Sequence, residues 1–369
     1  MRLEGTAAHK AFSDAIAAAR KVLEVSTAET QPLLWAKGQH HLANALRFSA
    51  ERTEGEKGKE LLLESTEAYR SALGVVTRAN EPDQWAWLQG NLAGALADLA
   101  DRTDGRASKE LLTEAVAAYR SALELRTRDT DPEGWAETLN NFGSVLITLA
   151  NYDDAPRAVE YLTEAEAAYR SIAELTRREK RPQDWAQNQS NLAVALNGLA
   201  DRTESSKSEE FAQRAAAHCR AALEVRSRNQ DPQGWARTQR ELGNAVLDLA
   251  SKNFGQQRAA WVQEGLAAFN SALEVFTRKE LPVDWAMTQL QMGDCLYSLA
   301  AQPLSPDRRA SLKHAISAYR GALEIFTRDF PRYNEVARNN LYSARKWRSR
   351  FWGVMRGPYL FWSALMTKW

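Results

Sequence analysis

Five histidines and two cysteines are the side chains of this 369-residue chain best suited to metal binding or nucleophilic chemistry. His40 and His41 are adjacent, and neighbours on a helix point in different directions. Neither has a second ligand four residues on, and His9, His218 and His314 stand alone. No CxxC, HExxH, EF-hand loop or glycine-rich phosphate loop occurs. Cys219 and Cys295 fall at positions that related segments fill with aromatic or small residues, so both read as core substitutions. The expectation is a chain without catalytic, cofactor-binding or metal-binding residues, and not an enzyme.

Charged side chains recur with more order. Arg120, Glu124 and Arg128 are spaced by four, and the trio returns as Arg170–Glu174–Arg178, Arg220–Glu224–Arg228 and Arg320–Glu324–Arg328. That spacing places each trio on one helix face, where pairing within the helix contributes a few tenths of a kcal/mol per pair. An anion-binding stripe is the functional alternative, which the glutamate between each arginine pair disfavours.

The elements that position these residues repeat. Trp35, Trp85, Trp135, Trp185, Trp235 and Trp285 follow at intervals of 50, each three residues after a proline. Tyr69, Tyr119, Tyr169, Phe269 and Tyr319 keep the same register, with Cys219 in the remaining slot. A fixed period of this length marks a stacked array of supersecondary units. Each unit reads as two helices. The first opens on proline, which suits an initial turn, and carries an apolar stripe such as Trp135, Leu139, Phe142, Leu146 and Leu149. On that stripe Trp135 is expected to be buried, with Trp135→Ala costing about 3–5 kcal/mol. Small residues at Ala43, Ala93, Gly143, Ala193, Gly243 and Gly293 predict a close helix crossing. A polar connector leads to a second helix with Leu112, Ala115, Tyr119, Ala122 and Leu123 on one face. Strand patterning is absent, so the class is all-α.

The pattern formed by Leu92, Ala93 and Leu96, then Ala115, Tyr119, Ala122 and Leu123, resembles the tetratricopeptide repeat. It departs from the usual 34-residue length and is similar to the long-helix arrays of bacterial signalling and scaffold proteins. The resemblance implies a right-handed superhelical solenoid of antiparallel helix pairs whose first helices line a concave groove. It also implies a protein or peptide partner lying there. Carried onto this sequence, the groove candidates are Lys37, His41, Trp87, Asn91, Asn141, Asn191, Arg237, Arg240 and Asn244. Asparagines in such rows can hydrogen-bond a partner's main chain as donor and acceptor; the alternative is that they bond within the array. Three rows are predicted at this face. Their members include Glu137 and Glu241, which replace cations that the family's carboxylate clamp needs, and a third row runs Asn44, Gly94, Ser144, Val194, Asn244 and Asp294.

In domain terms, residues 1–331 form the array, with a half repeat at 7–28 and six 50-residue repeats beginning near Pro32. Residues 332–350 read as a further helix, and 351–369 as a basic, aromatic tail. The net charge of +1 conceals a division: residues 332–369 hold eight Lys/Arg against the single acid Glu335. Tail candidates for partner or membrane contact are Arg345, Lys346, Arg348, Arg350, Trp352 and Trp362. The tail caps the array, lies against an anionic membrane surface, where tryptophan and basic residues favour the headgroup zone, or docks a partner protein. Two cysteines and no signal-peptide-like run point to the cytoplasm, with peripheral membrane attachment as the variant. Charge balance argues against nucleic acid. The reading is a non-catalytic interaction scaffold; the alternatives are a membrane-associated adaptor and the sensor segment of a larger signalling protein.

Overall fold

The computed structural model describes residues 2–253, 255–301, 308–327 and 333–349. Every regular element among them is helical. In chain order these are α1 (Arg2–Val25), α2 (Pro32–Ala50), α3 (Gly55–Leu73), α4 (Pro82–Asp101), α5 (Gly105–Leu123), α6 (Pro132–Leu149) and α7 (Ala155–Ala173). There follow α8 (Pro182–Arg202), α9 (Ser205–Leu223), α10 (Pro232–Lys252), α11 (Gly255–Leu273), α12 (Pro282–Ala300), α13 (Arg308–Ile325) and a last helix, α14, at 333–349. A short 3-10 turn, Ala150–Tyr152, links α6 to α7. The chain divides into two compact units, Met1–Leu175 and Thr176–Trp369. Each is a solenoid-like stack of antiparallel helix pairs, the first helix of each pair starting on proline.

The helix starts follow from local chemistry. Proline lacks the N–H that an initial turn leaves unpaired. Asp131 and Asp231 cap α6 and α10, each accepting from the backbone N–H of Gly134 or Gly234 at 3.0 Å. Gly105 opens α5 at a φ of 62°, a left-handed conformation that turns the connector into the second helix.

Where first and second helices cross, one ring fills the space. Tyr69, Tyr119 and Tyr169 in the first unit, and Phe269 and Tyr319 in the second, are buried. Beneath them, a Cβ on Gly143 would lie 2.7 Å from the Tyr169 ring, and one on Gly243 would lie 2.6 Å from Phe269. The small-residue slots thus let backbone and ring approach within contact distance. Cys219 stands fully buried in the corresponding slot of α9, which carries no ring.

Two expectations change. Trp135 is half-buried rather than part of the sealed core, as are the other tryptophans of its series. Each sits in the first turn of its helix, beside the connector, where only one side is packed. Arg78, Arg178 and Arg278 lie over Trp85, Trp185 and Trp285, with guanidinium-to-centroid distances of 5.2–5.9 Å.

The arginine–glutamate trios also pair differently. Arg120 reaches Glu164 of the next second helix at 2.7 Å, and Arg128 reaches Glu174 at 2.6 Å. Glu124 is the acceptor for Arg78 of the preceding pair. Arg70–Glu114 and Arg20–Glu64 repeat this in the first unit, and Arg178–Glu224, Arg220–Glu264, Arg228–Glu274 and Arg278–Glu324 in the second. The long side chains span to the neighbouring helix pair rather than along their own helix. Arg170 is the exception: the residue 44 positions on is Arg214, not a glutamate, and Arg170 pairs instead with Glu166 of its own helix.

Candidate protein-interaction face

In the first unit, the first helices α2, α4 and α6 present Lys37, His41, Trp87, Asn91 and Asn141. Lys37, His41 and Trp87 are exposed, and they are brought together around a cleft of about 390 Å³. His40, Gln84, Leu88, Ala36 and Val76 complete its wall. The His40 ring stands edge-on to Trp87, with centroids 4.2 Å apart, and its Nε2 is 2.6 Å from Asn44 Nδ2. Burial, aided by the charge of His41, pushes the His40 imidazole down to about 4, so it is neutral at physiological pH.

The asparagines divide by what they touch. Asn44 accepts from the Tyr69 hydroxyl, and Ser144 lies 3.0 Å from the Tyr169 hydroxyl. In the second unit Asp294 accepts from Tyr319 at 2.7 Å. These positions therefore meet the crossing rings. Asn141 Oδ1 accepts from Asn140 at 3.3 Å. The amide nitrogen of Asn91 is buried and lacks a hydrogen-bond partner among the described residues.

In the second unit, Asn191 accepts from Gln187 Nε2 at 2.8 Å, and Gln187 in turn accepts from Arg226. Arg237 is exposed. Arg240 reaches Asp284 at 2.8 Å and lies over the Phe276 ring at 5.4 Å. Asn244 donates to Glu241 Oε2 at 3.2 Å. Glu241 itself is buried, and Asn197 of α8 donates to its side chain and backbone at 3.1 and 3.0 Å.

Sequence reasoning missed the polar network under this face. Arg226 is only 4 % exposed, and its guanidinium reaches Ser190 and Thr238, each at 3.2 Å. Burial holds its pKa below the usual arginine value. The signal was present: the same register holds Val76, Arg126, Thr176, Phe276 and Phe326, so an arginine there sits where apolar side chains are buried.

Of the tail candidates, Arg345, Lys346 and Arg348 lie exposed on α14. Lys346 stands over the Tyr342 ring at 5.7 Å. Beside them Trp347 packs on Tyr297, with centroids 5.9 Å apart, under the Arg308 guanidinium. Arg350, Trp352 and Trp362 lie outside the described residues. Among the described residues no group of His, Cys, Asp or Glu is placed to hold a metal ion, and no helix is long and apolar enough to cross a membrane.

No protein-family model and no curated protein matches the chain. Solved structures do. A circular tandem repeat protein with novel repeat topology is 16% identical over 97% of this chain and 100% of its own, at a TM-score of 0.36. The regulator of sterol synthesis Nro1, described as a nuclear import adaptor, is 13% identical over 88% of this chain and 98% of its own, at 0.40. A second structure of Nro1, from S. pombe, is 13% identical over 81% and 99%, at 0.42. Scores and identities this low assign no activity or partner.

Proposed function

We propose that this chain is a non-catalytic protein-interaction scaffold of the tetratricopeptide-like kind, binding a peptide or helical segment along its first-helix faces in the cytoplasm. The observation that carries the reading is the cleft between α2 and α4. It combines an exposed tryptophan, Trp87, with Lys37 and the His41 imidazole, and Asn91, one turn further along α4, carries a buried amide nitrogen without a hydrogen-bond partner among the described residues. Exposed aromatics beside polar groups are a common anchor for protein partners, and an unpaired buried donor gains a hydrogen bond when a partner carbonyl arrives. Asn141 and Asn191 extend the same register on later first helices.

The test is affinity capture with wild type, Trp87→Ala and an Asn91/Asn141/Asn191→Ala triple variant, each first shown to melt as wild type does. Loss of a specific partner from both variants supports the reading. Partner sets identical across all three remove it.

A second reading is favoured by one observation: Arg345, Lys346 and Arg348 are exposed on α14, immediately before the aromatic tail. Such cations attract anionic headgroups. Co-sedimentation with phosphatidylserine vesicles, compared between wild type and an Arg345/Lys346/Arg348→Glu variant, tests peripheral attachment. Equal recovery of both would end it.

A further inference from the structure

The register assigns three slots to each seam between consecutive first helices of a unit. Two lie on the earlier helix, four residues apart, and one lies on the later helix. At α2–α4 the slots hold Arg47, Glu51 and Asp98, and Arg47 Nε donates to Asp98 at 2.6 Å. At α4–α6 they hold Ala97, Asp101 and Thr148, and at α10–α12 Leu247, Ser251 and Ser298. At α8–α10 they hold Asn197, Asp201 and Asp248. Of these four seams, only α8–α10 opposes two acids without an arginine in the remaining slot.

The contacts follow from that difference. Asn197 does not replace the missing cation, because its amide donates to Glu241, at 3.0 Å to the backbone oxygen and 3.1 Å to Oε2. Asp201 and Asp248 are instead hydrogen-bonded to each other, side chain to side chain. Ionised carboxylates are acceptors only, so this contact exists only while one proton is shared between them. The proton does at α8–α10 what Arg47 does at α2–α4. Asp248 is half-buried, and that burial, reinforced by the Asp201 charge, pushes its carboxyl up to about 7. Asp201, at the exposed rim, is raised as well by withdrawal from water, against the pull of Arg202. The other charges acting on the pair are Glu241 and Lys252 of α10. Of the elements packed alongside, α9 sets Glu209 against Asn253 at 3.4 Å, and α11 sets Arg258 against Ser298 of α12 at 3.0 Å.

We infer that the α8–α10 seam is a proton-dependent latch. Asp201 and Asp248 hold the C-terminal halves of the two helices together while they share a proton, and repel once both are ionised. Because Asp248 is raised above its unfolded value, the stability it contributes is fully present below about pH 4 and is lost as pH rises through about 7. The seam is closed in mildly acidic surroundings and loosened in mildly alkaline ones. Residues 194–201 of α8 and 244–251 of α10 form the stretch that loosens, and it includes Asn244 of the first-helix face. The latch lies wholly in the second unit and does not depend on the α2–α4 cleft or its partner.

Amide hydrogen exchange of the full chain at pH 6 and pH 8, divided by the intrinsic rate at each pH, reads the seam directly. Protection of 194–201 and 244–251 is expected to fall about fivefold between these values, half the tenfold that full linkage of one such proton would give. Residues 112–119 of α5 keep their protection. Asp248→Asn and Asp201→Asn each remove the fall, because the new amide donates to the remaining carboxylate at either pH. Asn197→Arg, which copies Arg47, removes it too, and decides the matter where circular dichroism shows an aspartate variant melting early. Equal protection of the wild-type seam at both pH values overturns the inference. So does a fall that persists in Asp248→Asn or in Asn197→Arg, or one shared equally by α5. A fall abolished by Asp294→Asn but not by Asp248→Asn would pass the effect to that carboxyl and overturn it as well.

Discussion

The Tyr319 hydroxyl donates to Asp294 Oδ1 at 2.7 Å, one residue beyond Gly293, over which the same ring lies. Asn340 Nδ2 donates to the same oxygen at 2.8 Å. One side chain of α13 thus fixes both the spacing of its helix crossing and the setting of a carboxylate.

The crossing gives the first prediction. A Cβ at Gly293 would stand 2.5 Å from Tyr319 Cε1. Gly293→Ala improves helix propensity by about 1 kcal/mol, but forcing ring and backbone apart costs about 1–3 kcal/mol. The expected net result is a lower urea midpoint. Gly293→Ala combined with Tyr319→Cys, which copies the Ala193–Cys219 arrangement, is expected to lose less stability than the sum of the two single changes, because the clash is absent without the ring.

Asp294 gives a pH dependence. Its enclosure pushes the carboxyl up to about 6, against the opposing help of Tyr319 and Asn340. The folded state therefore holds the proton more tightly than the unfolded chain. Stability contributed by the protonated form is fully present below about pH 4 and is lost as pH rises through about 6. With the residue half-buried, the expected span is about 1–2 kcal/mol after allowance for solvent screening. Asp294→Asn removes this component, so urea midpoints of variant and wild type should diverge between pH 4 and 7. Parallel curves would refute the assignment.

The interhelix ion pairs give the third. A double-mutant cycle on Arg120 and Glu164 should return a coupling of about 0.2–1 kcal/mol, as for exposed pairs, which shrinks in 1 M salt. The same cycle on Arg120 and Glu124 should return none. A coupling in the second cycle that equals the first would restore pairing along the helix.

A fourth contrast separates ring from marker tryptophan. Phe269 is fully buried, whereas Trp235 is half-buried. Phe269→Ala is expected to cost about 3–5 kcal/mol, and Trp235→Ala about 1–2 kcal/mol because part of its area stays wet. Melts of the two variants check the order.

The all-α paired architecture was legible because proline, tryptophan, small residue and ring each recur in one register, and helical periodicity connects them. Trp135 was misjudged because apolar spacing reports which face a residue shares, not how close to a helix end the packing stops. The Arg120–Glu124–Arg128 spacing suggested pairing along one helix. Its real partners lie 44 or 46 residues away, a distance set by the stacking of helix pairs. The polar network was hidden for a related reason. Asn197 and Glu241 look like surface residues until α8 and α10 are stacked, when the Asn197 amide meets the buried Glu241 carboxylate. Among the groove candidates, Lys37, His41 and Trp87 converge in space, whereas Asn141, Asn191 and Asn244 each have a bond within the array.

The arginine–glutamate pairs have a consequence for how such a chain can change length. Because Arg78 reaches Glu124 and Arg128 reaches Glu174 by the same step, removal of residues 101–150 would bring Glu174 to the place Glu124 held. An unequal exchange between homologous segments would heal its own junction, and duplication would do the same. The step is not kept everywhere in the sequence: 44 positions after Arg170 stands Arg214, and the series of arginines itself holds Asn270.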